Sequence, residues 1–191
     1  EALRARLPEL LAELRLAHGA VRVGATPRRL VAHVAHLAAR QTDIEEEVVG
    51  PPRHAAFGPE GRPLAAAEGF ARKMGVPVEE LAVVERSGEE RVAAVRREAG
   101  RPASEVLGAS LASLLGGIAF GRTMRWNASR AAFSRPVRWL VALHGEAVVP
   151  MAFAGVAAGR ITRGLRPSGS PARRLASAGD HPKLMRTLGV S

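Results

Sequence analysis

The stretch from Phe120 to Pro150 constrains the fold of this chain more than any other. It reads FGRTMRWNASRAAFSRPVRWLVALHGEAVVP and holds both tryptophans, two of the five phenylalanines, five arginines and a single acid, Glu146. Val137 to Leu143 is a nearly continuous apolar run bounded by Pro136 and Gly145, the pattern of a buried strand. After the turn at His144-Gly145-Glu146, Ala147 to Val149 is expected to return as a partner strand before Pro150. An apolar strand pair fed by an arginine-studded loop predicts a core element whose rim faces a polyanion.

Composition narrows what can surround that element. The 191 residues suit one large domain, or one domain with a short appendage. Aromatic residues make up only 4%, so the core must be built from leucine, valine and alanine. No run is long and apolar enough to cross a bilayer and no signal peptide opens the chain, so no membrane partner is expected. The absence of cysteine rules out a disulfide framework and thiolate metal ligation and fits a cytoplasmic protein. The first residue is Glu1 rather than Met, as expected of a fragment or a trimmed chain.

Net charge is +10, and its distribution says more than its size. Residues 1–100 carry 15 basic and 15 acidic side chains, which cancel. Residues 101–191 carry 13 basic side chains against Glu105, Glu146 and Asp180. Apart from Lys73 and Lys183 the basic residues are all arginine, a bias that a GC-rich genome alone would produce. The one-sided field favours phosphate backbones or an acidic protein surface.

The remaining pattern is mixed. Leu3, Leu7, Leu10, Leu11 and Leu14 predict a leading helix over Ala2–Ala17, with Pro8 as a kink or the true first turn. A strand from Val21, a turn at Thr26-Pro27 and a return over Arg28–Leu37 follow. His33 and His36 then lie on opposite faces of one strand, where they cannot share a metal. The acidic run Asp43–Glu47 reads as a solvated strand start. Pro63 suits the first position of a helix that buries Leu64, Ala67, Phe70, Ala71 and Met74 and ends at Gly75. Leu81–Arg86 with Arg91–Glu98 reads as a hairpin through Ser87-Gly88. Pro102 opens a further helix that runs to Gly116-Gly117. Short strands over Met151–Val156 and Arg160–Arg163, a polar loop over Ser168–Arg174 and a helix over Asp180–Leu188 complete the chain. The class is α+β, a mostly antiparallel or mixed sheet with packed helices. It is expected as one region, 1–191, divided into a leading helix (1–20), a sheet-containing core (21–167) and a closing loop and helix (168–191).

Catalytic signatures do not emerge from the spacing. Neither common phosphate-cradling glycine loop occurs, and no HExxH or paired-carboxylate site stands out. Ser110, Ser113, Ser129 and Ser134 lack the context of a nucleophile elbow. No catalytic residue, metal ligand or cofactor site is expected. The candidates for a nucleic-acid or subunit contact are Arg122, Arg125, Arg130 and Arg135, then Arg160, Arg163, Arg166, Arg173 and Arg174, since the guanidinium fork suits phosphate and carboxylate alike. Trp126 and Phe133 are expected to cover core rather than stack on bases. Arg138, inside the apolar strand, is expected to pair with an acid or snorkel to an edge.

Several blocks resemble one family, the β subunit of the bacterial two-subunit glycyl-tRNA synthetase. They run in the family's order: Thr26-Pro27-Arg28-Arg29-Leu30; Gly50-Pro51 with Ala56-Phe57 and Gly61; Ala66 to Arg72; Met124-Arg125-Trp126; Phe133 to Trp139; Val149-Pro150; and Gly159 to Gly164. They cover the chain from about Ala17 onward. Two departures stand out. Asn127 replaces the family's usual glycine, a position where asparagine's tolerance of left-handed backbone could preserve a tight turn. Leu165-Arg166-Pro167 replaces the common His-Arg-Phe, and Pro167 argues against a continuing inner strand.

The resemblance implies the N-terminal region of a longer β subunit, similar to the editing-type domain of the phenylalanyl-tRNA synthetase β subunit. It implies an aminoacyl-tRNA ligase in which ATP, magnesium and glycine are handled by a separate α subunit. This chain would carry no cofactor and no catalysis of its own. Expected partners are the α subunit, tRNA(Gly) and the remaining β-subunit regions, in a cytoplasmic α2β2 heterotetramer. A domain given over to protein–protein interaction is the second reading, and a hydrolase that clears mischarged tRNA the third.

Overall fold

Leucines spaced three and four apart place one apolar stripe on a helix, and α1 forms over Ala2–Glu13. Leu3, Leu7 and Leu11 are buried, and Leu16 joins them just beyond the helix. Pro8 lies inside α1 rather than in its first turn. β1 (Val21–Thr26) and β2 (Arg29–Val34) pair antiparallel across Pro27-Arg28, in register from Val21↔Val34 to Thr26↔Arg29. The return strand was expected to reach Leu37. It stops at Val34, and His36 takes a left-handed backbone (φ 48°) that no strand accommodates, so His33 and His36 do not share a strand.

The computed structural model describes residues 1–190 and separates into two compact units, one formed by 1–42 with 101–191, the other by Asp43–Gly100. The second unit opens with β3 (Ile44–Pro52), whose first residues carry Glu45, Glu46 and Glu47 of the acidic run. Two helices follow, α2 (Arg53–Ala56) and α3 (Ala65–Met74), the latter closed by Gly75 at φ 73°. β4 (Ala82–Arg86) and β5 (Glu89–Glu98) form the expected hairpin. Ser87 and Gly88 both have positive φ, as the tight two-residue turn between twisted strands requires. The sheet order is β3-β5-β4, antiparallel throughout. Ala56, Ala67 and Val92 form its small core, with Phe57, Phe70, Val78 and Leu81 packed around them. The Asp43 carboxylate accepts the Gly100 amide at 2.7 Å, holding the two ends of this unit side by side.

The first unit resumes at Arg101, whose carbonyl accepts the Gln41 amide at 2.9 Å. α4 (Ala103–Gly116) starts after Pro102, and Ala103, Leu107 and Leu114 complete the main core with the α1 leucines and Val149. The run Val137–Leu143 is not one strand. Val137 to Trp139 lies outside any strand, and the rest divides into β6 (Leu140–Val141) and β7 (Leu143–His144). β8 (Ala147–Val148) returns antiparallel to β7 through Gly145 at φ 56°, so the expected hairpin exists but is short. Leu140 to Leu143 are only half-buried. The core is helical leucine, and the hairpin contributes Val149 at its margin.

β9 (Ala152–Phe153) and β10 (Val156–Gly159) follow, and β10 pairs parallel with β6 to give the order β6-β10-β9. β11 (Ile161–Arg163) pairs antiparallel with β12 (Ala172–Arg174), so the expected polar loop over 168–174 ends in a strand. α5 (His181–Thr187) closes the described chain. Asp180 precedes it, yet its carboxylate turns back to the Ser177 amide and hydroxyl at 2.9 and 3.0 Å. The architecture is α+β, with small antiparallel and mixed sheets and several helices. No helix among the described residues is long and apolar enough to cross a membrane.

Candidate nucleic-acid interface

Aromatic packing fixes the loop that carries the first arginines. Phe120 and Phe153 both meet Phe133 edge to face, with ring centroids 4.6 and 5.6 Å away. Met124 and Phe133 exchange backbone hydrogen bonds of 2.9 and 3.2 Å, closing a hairpin-like loop. Asn127 pins its tip. Nδ2 donates to the Ala154 carbonyl at 2.7 Å, while Oδ1 accepts the Ser129 amide at 3.1 Å and hydroxyl at 2.6 Å.

The left-handed residue in this loop is Arg130 (φ 55°), not Asn127, which acts through its side chain. Arg125 Nε donates to the Arg130 carbonyl at 3.2 Å. Arg122, Arg125, Arg130 and Arg135 are all exposed on this scaffold. Arg138 is exposed too, outside any strand. Phe133 is packed as expected and Trp126 is half-buried.

The second group divides by role. Arg160 is half-buried and donates to the carbonyls of Glu146 (2.9 Å), Ala176 (3.1 Å) and Leu175 (3.4 Å). It is a clasp, with its fork already occupied. Arg163, Arg166, Arg173 and Arg174 are exposed. The register Ile161↔Arg174 and Arg163↔Ala172 places Arg163 and Arg174 on one face of the β11–β12 ribbon, flanking Ile161.

A polar cluster nearby in the same unit was not anticipated. Arg29 donates to the carbonyls of Arg163 (2.6 Å) and Gly164 (2.8 Å), and its guanidinium lies 5.6 Å from the Trp139 ring centroid. Burial lowers its pKa from the ordinary arginine value. His33 Nε2 and His181 Nδ1 are 3.1 Å apart, so one ring donates and the other accepts. Burial, then the charge of Arg22, lowers the His33 pKa. Burial, then His33 and Arg29, lowers that of His181. The ring centroids are 5.0 Å apart and the ring planes are tilted by 45°. Among the described residues no group of three or more potential metal ligands gathers. The sequence signal was the Thr26–Leu30 block. Nothing in the spacing linked His33 to His181.

Ion pairing separates the two units. Arg53–Glu90, Arg86–Glu47 and Arg97–Glu45 pair at 2.8, 2.7 and 2.6 Å within residues 43–100. That unit has 12 acids and eight basic residues, an excess of four negative charges. The other has 20 basic residues and six acids, an excess of 14 positive charges. Among the described residues, no arginine beyond Arg101 forms an ion pair with a carboxylate. The arginines of the loop and the ribbon face water with their charge uncompensated.

The family model described as glycyl-tRNA synthetase beta subunit matches residues 1–191. The chain belongs to the glycyl-tRNA synthetase β-subunit family. It is 48% identical over 156 residues to a glycine–tRNA ligase beta subunit of Geobacter sulfurreducens, covering 82% of this chain and 23% of that one. Identity to the beta subunit of Moorella thermoacetica is 43% over 166 residues, 87% of this chain and 24% of that protein. The chloroplastic/mitochondrial glycine–tRNA ligase 2 of Arabidopsis thaliana is 44% identical over the whole chain, which spans 18% of its length. The chain thus spans about a quarter or less of these relatives. Three blocks that carry the resemblance to the β-subunit family meet at one residue: Arg29 from the first, Trp139 from the fifth and Arg163-Gly164 from the last.

Proposed function

We propose that this chain is the part of a glycine–tRNA ligase β subunit that presents an arginine face to tRNA(Gly) and helps organise the enzyme. Activation of glycine with ATP and magnesium is assigned to a separate α subunit, in a cytoplasmic α2β2 assembly. The observation that carries this reading is the set of exposed arginines without carboxylate partners in a unit with 14 excess positive charges. Such a surface releases counterions on meeting phosphates, so affinity falls as salt rises. Titrating tRNA(Gly) at 50 and 200 mM salt tests it: a steep loss is expected, and affinity indifferent to salt would refute an RNA-facing surface.

One observation favours the second reading, that these arginines meet acids of the α subunit. Met124 (48%), Ile161 (41%) and Leu165 (37%) are exposed among them, and mixed apolar and arginine surface is the composition of protein interfaces. Charge reversal separates the two. Arg122→Glu or Arg125→Glu should weaken tRNA binding. Lost co-purification with the α subunit at unchanged tRNA affinity would transfer the role to subunit contact. Likeness to the editing-type domain of the phenylalanyl-tRNA synthetase β subunit belongs to the same proposal. Hydrolytic editing is less favoured, because glycine is the smallest substrate and larger amino acids are excluded by size. Mischarged tRNA that survives incubation with the chain would remove it.

A further inference from the structure

We infer that the arginine face grips RNA by its phosphates alone and takes no part in reading base identity. This rests on the RNA-contact reading above and concerns what kind of contact that face can make. Base identity is read by hydrogen bonds to base edges, for which asparagine and glutamine are well suited. Stacking of unpaired bases on aromatic rings or guanidinium planes presents those edges but is itself tolerant of sequence. This chain has one asparagine, one glutamine and no tyrosine. Asn127 is held by the Ala154 carbonyl and Ser129. Gln41 donates to the Leu14 carbonyl at 2.8 Å and accepts the Arg101 amide at 3.2 Å. Gln41 is buried with both ends of its amide engaged, and Asn127 spends Oδ1 on Ser129 and one Nδ2 hydrogen on Ala154, so neither can make the two-point contact that reads adenine.

The aromatic rings are similarly engaged. Phe57 and Phe70 pack on the core of residues 43–100. Phe120, Phe133 and Phe153 face one another. Trp139 lies against the Arg29 guanidinium. Trp126, the remaining tryptophan, is half-buried beside Arg125. Of the histidines, His33 and His181 are bonded to each other and His144 to the Leu37 carbonyl, while the exposed His36 and His54 lie in sequence far from the arginines of 122–174. Beside Met124, Ile161 and Leu165 and a few hydroxyls, the polar groups that face solvent here are guanidinium, and in A-form RNA the groove where arginine could recognise guanine is too deep and narrow to enter. Contacts of this kind set register and orientation and carry no sequence information.

Fluorescence anisotropy with the 191-residue chain tests this against tRNA(Gly), a non-glycine tRNA and an RNA duplex of arbitrary sequence. The expected result is dissociation constants within about threefold of one another and a common salt slope. Contact with about four phosphates would weaken binding about a hundredfold between 50 and 200 mM salt. Trp126→Leu should change affinity less than twofold. A preference above tenfold for tRNA(Gly), or a tenfold loss with Trp126→Leu, would overturn the inference and leave the RNA-contact reading standing. Failure to bind any of the three RNAs, or tighter binding of polyglutamate than of RNA, would overturn that reading itself.

Discussion

Arg4, Arg6, Arg29 and Arg160 donate to backbone carbonyls, whereas Arg122 and Arg166 meet no acceptor among the described residues. The same residue type therefore serves two purposes, and substitution should separate them. Arg160→Ala leaves the carbonyls of Glu146, Leu175 and Ala176 without their donor and should cost about 1–3 kcal/mol. The shift should be read as a lower urea midpoint at little-changed RNA affinity; an unshifted midpoint would show the clasp to be dispensable. The histidine pair gives a pH dependence. Both folded-state pKa values lie below the ordinary 6.5, so the folded form resists protons that the unfolded chain accepts. Stability is complete above that value and is lost as pH falls through the interval beneath it. Melting temperatures of the parent should drop on going from pH 7.5 to 5.5, and His33→Phe with His181→Phe should flatten that slope. An identical slope in both proteins would dismiss the pair as its source.

At the scale of elements, α4 meets the chain after β8 so closely that a Cβ on Gly108 would run into the Pro150 carbonyl oxygen. Gly108→Ala should therefore destabilise by about 1–3 kcal/mol, against the usual gain from replacing a helical glycine. A thermal melt showing stabilisation would mean that the helix can shift freely. α1, α4 and the Ser87-Gly88 hairpin were legible because each is a local pattern: leucine spacing, a proline start, a two-residue turn. Val137–Leu143 misled because successive short pieces pair with different partners, β6 with β10 and β7 with β8, and an apolar run does not name its partner. β12 escaped notice because Ala172–Arg174 is exposed and arginine-rich, with no buried alternation to betray a strand. Excess charge was visible in the sequence. That Arg160 is bound to carbonyls was not, since backbone acceptors leave no residue-type signature.

For the molecule as a whole, the unit holding the arginine face is interrupted by residues 43–100, and the interruption begins and ends where Gln41 and Arg101 are hydrogen-bonded. Replacing 43–100 by a short glycine-serine linker should spare tRNA binding and tighten it at low salt, because four excess negative charges leave with the excised residues. Abolished binding by a folded deletion variant would move the contact onto the excised unit. The interruption also bears on how the protein is made. The leucines of α1 are covered partly by Val21, Val23, Val34 and Leu37 nearby in sequence and partly by Leu107 and Leu114 of α4, so their cover is completed only once residues near Leu114 have been synthesised. Residues 43–100 have a core of their own by then and can fold first. The α1–α4 contact is thus a long-range one that forms late in translation, and slow elongation across residues 43–100 would prolong the partial exposure of α1.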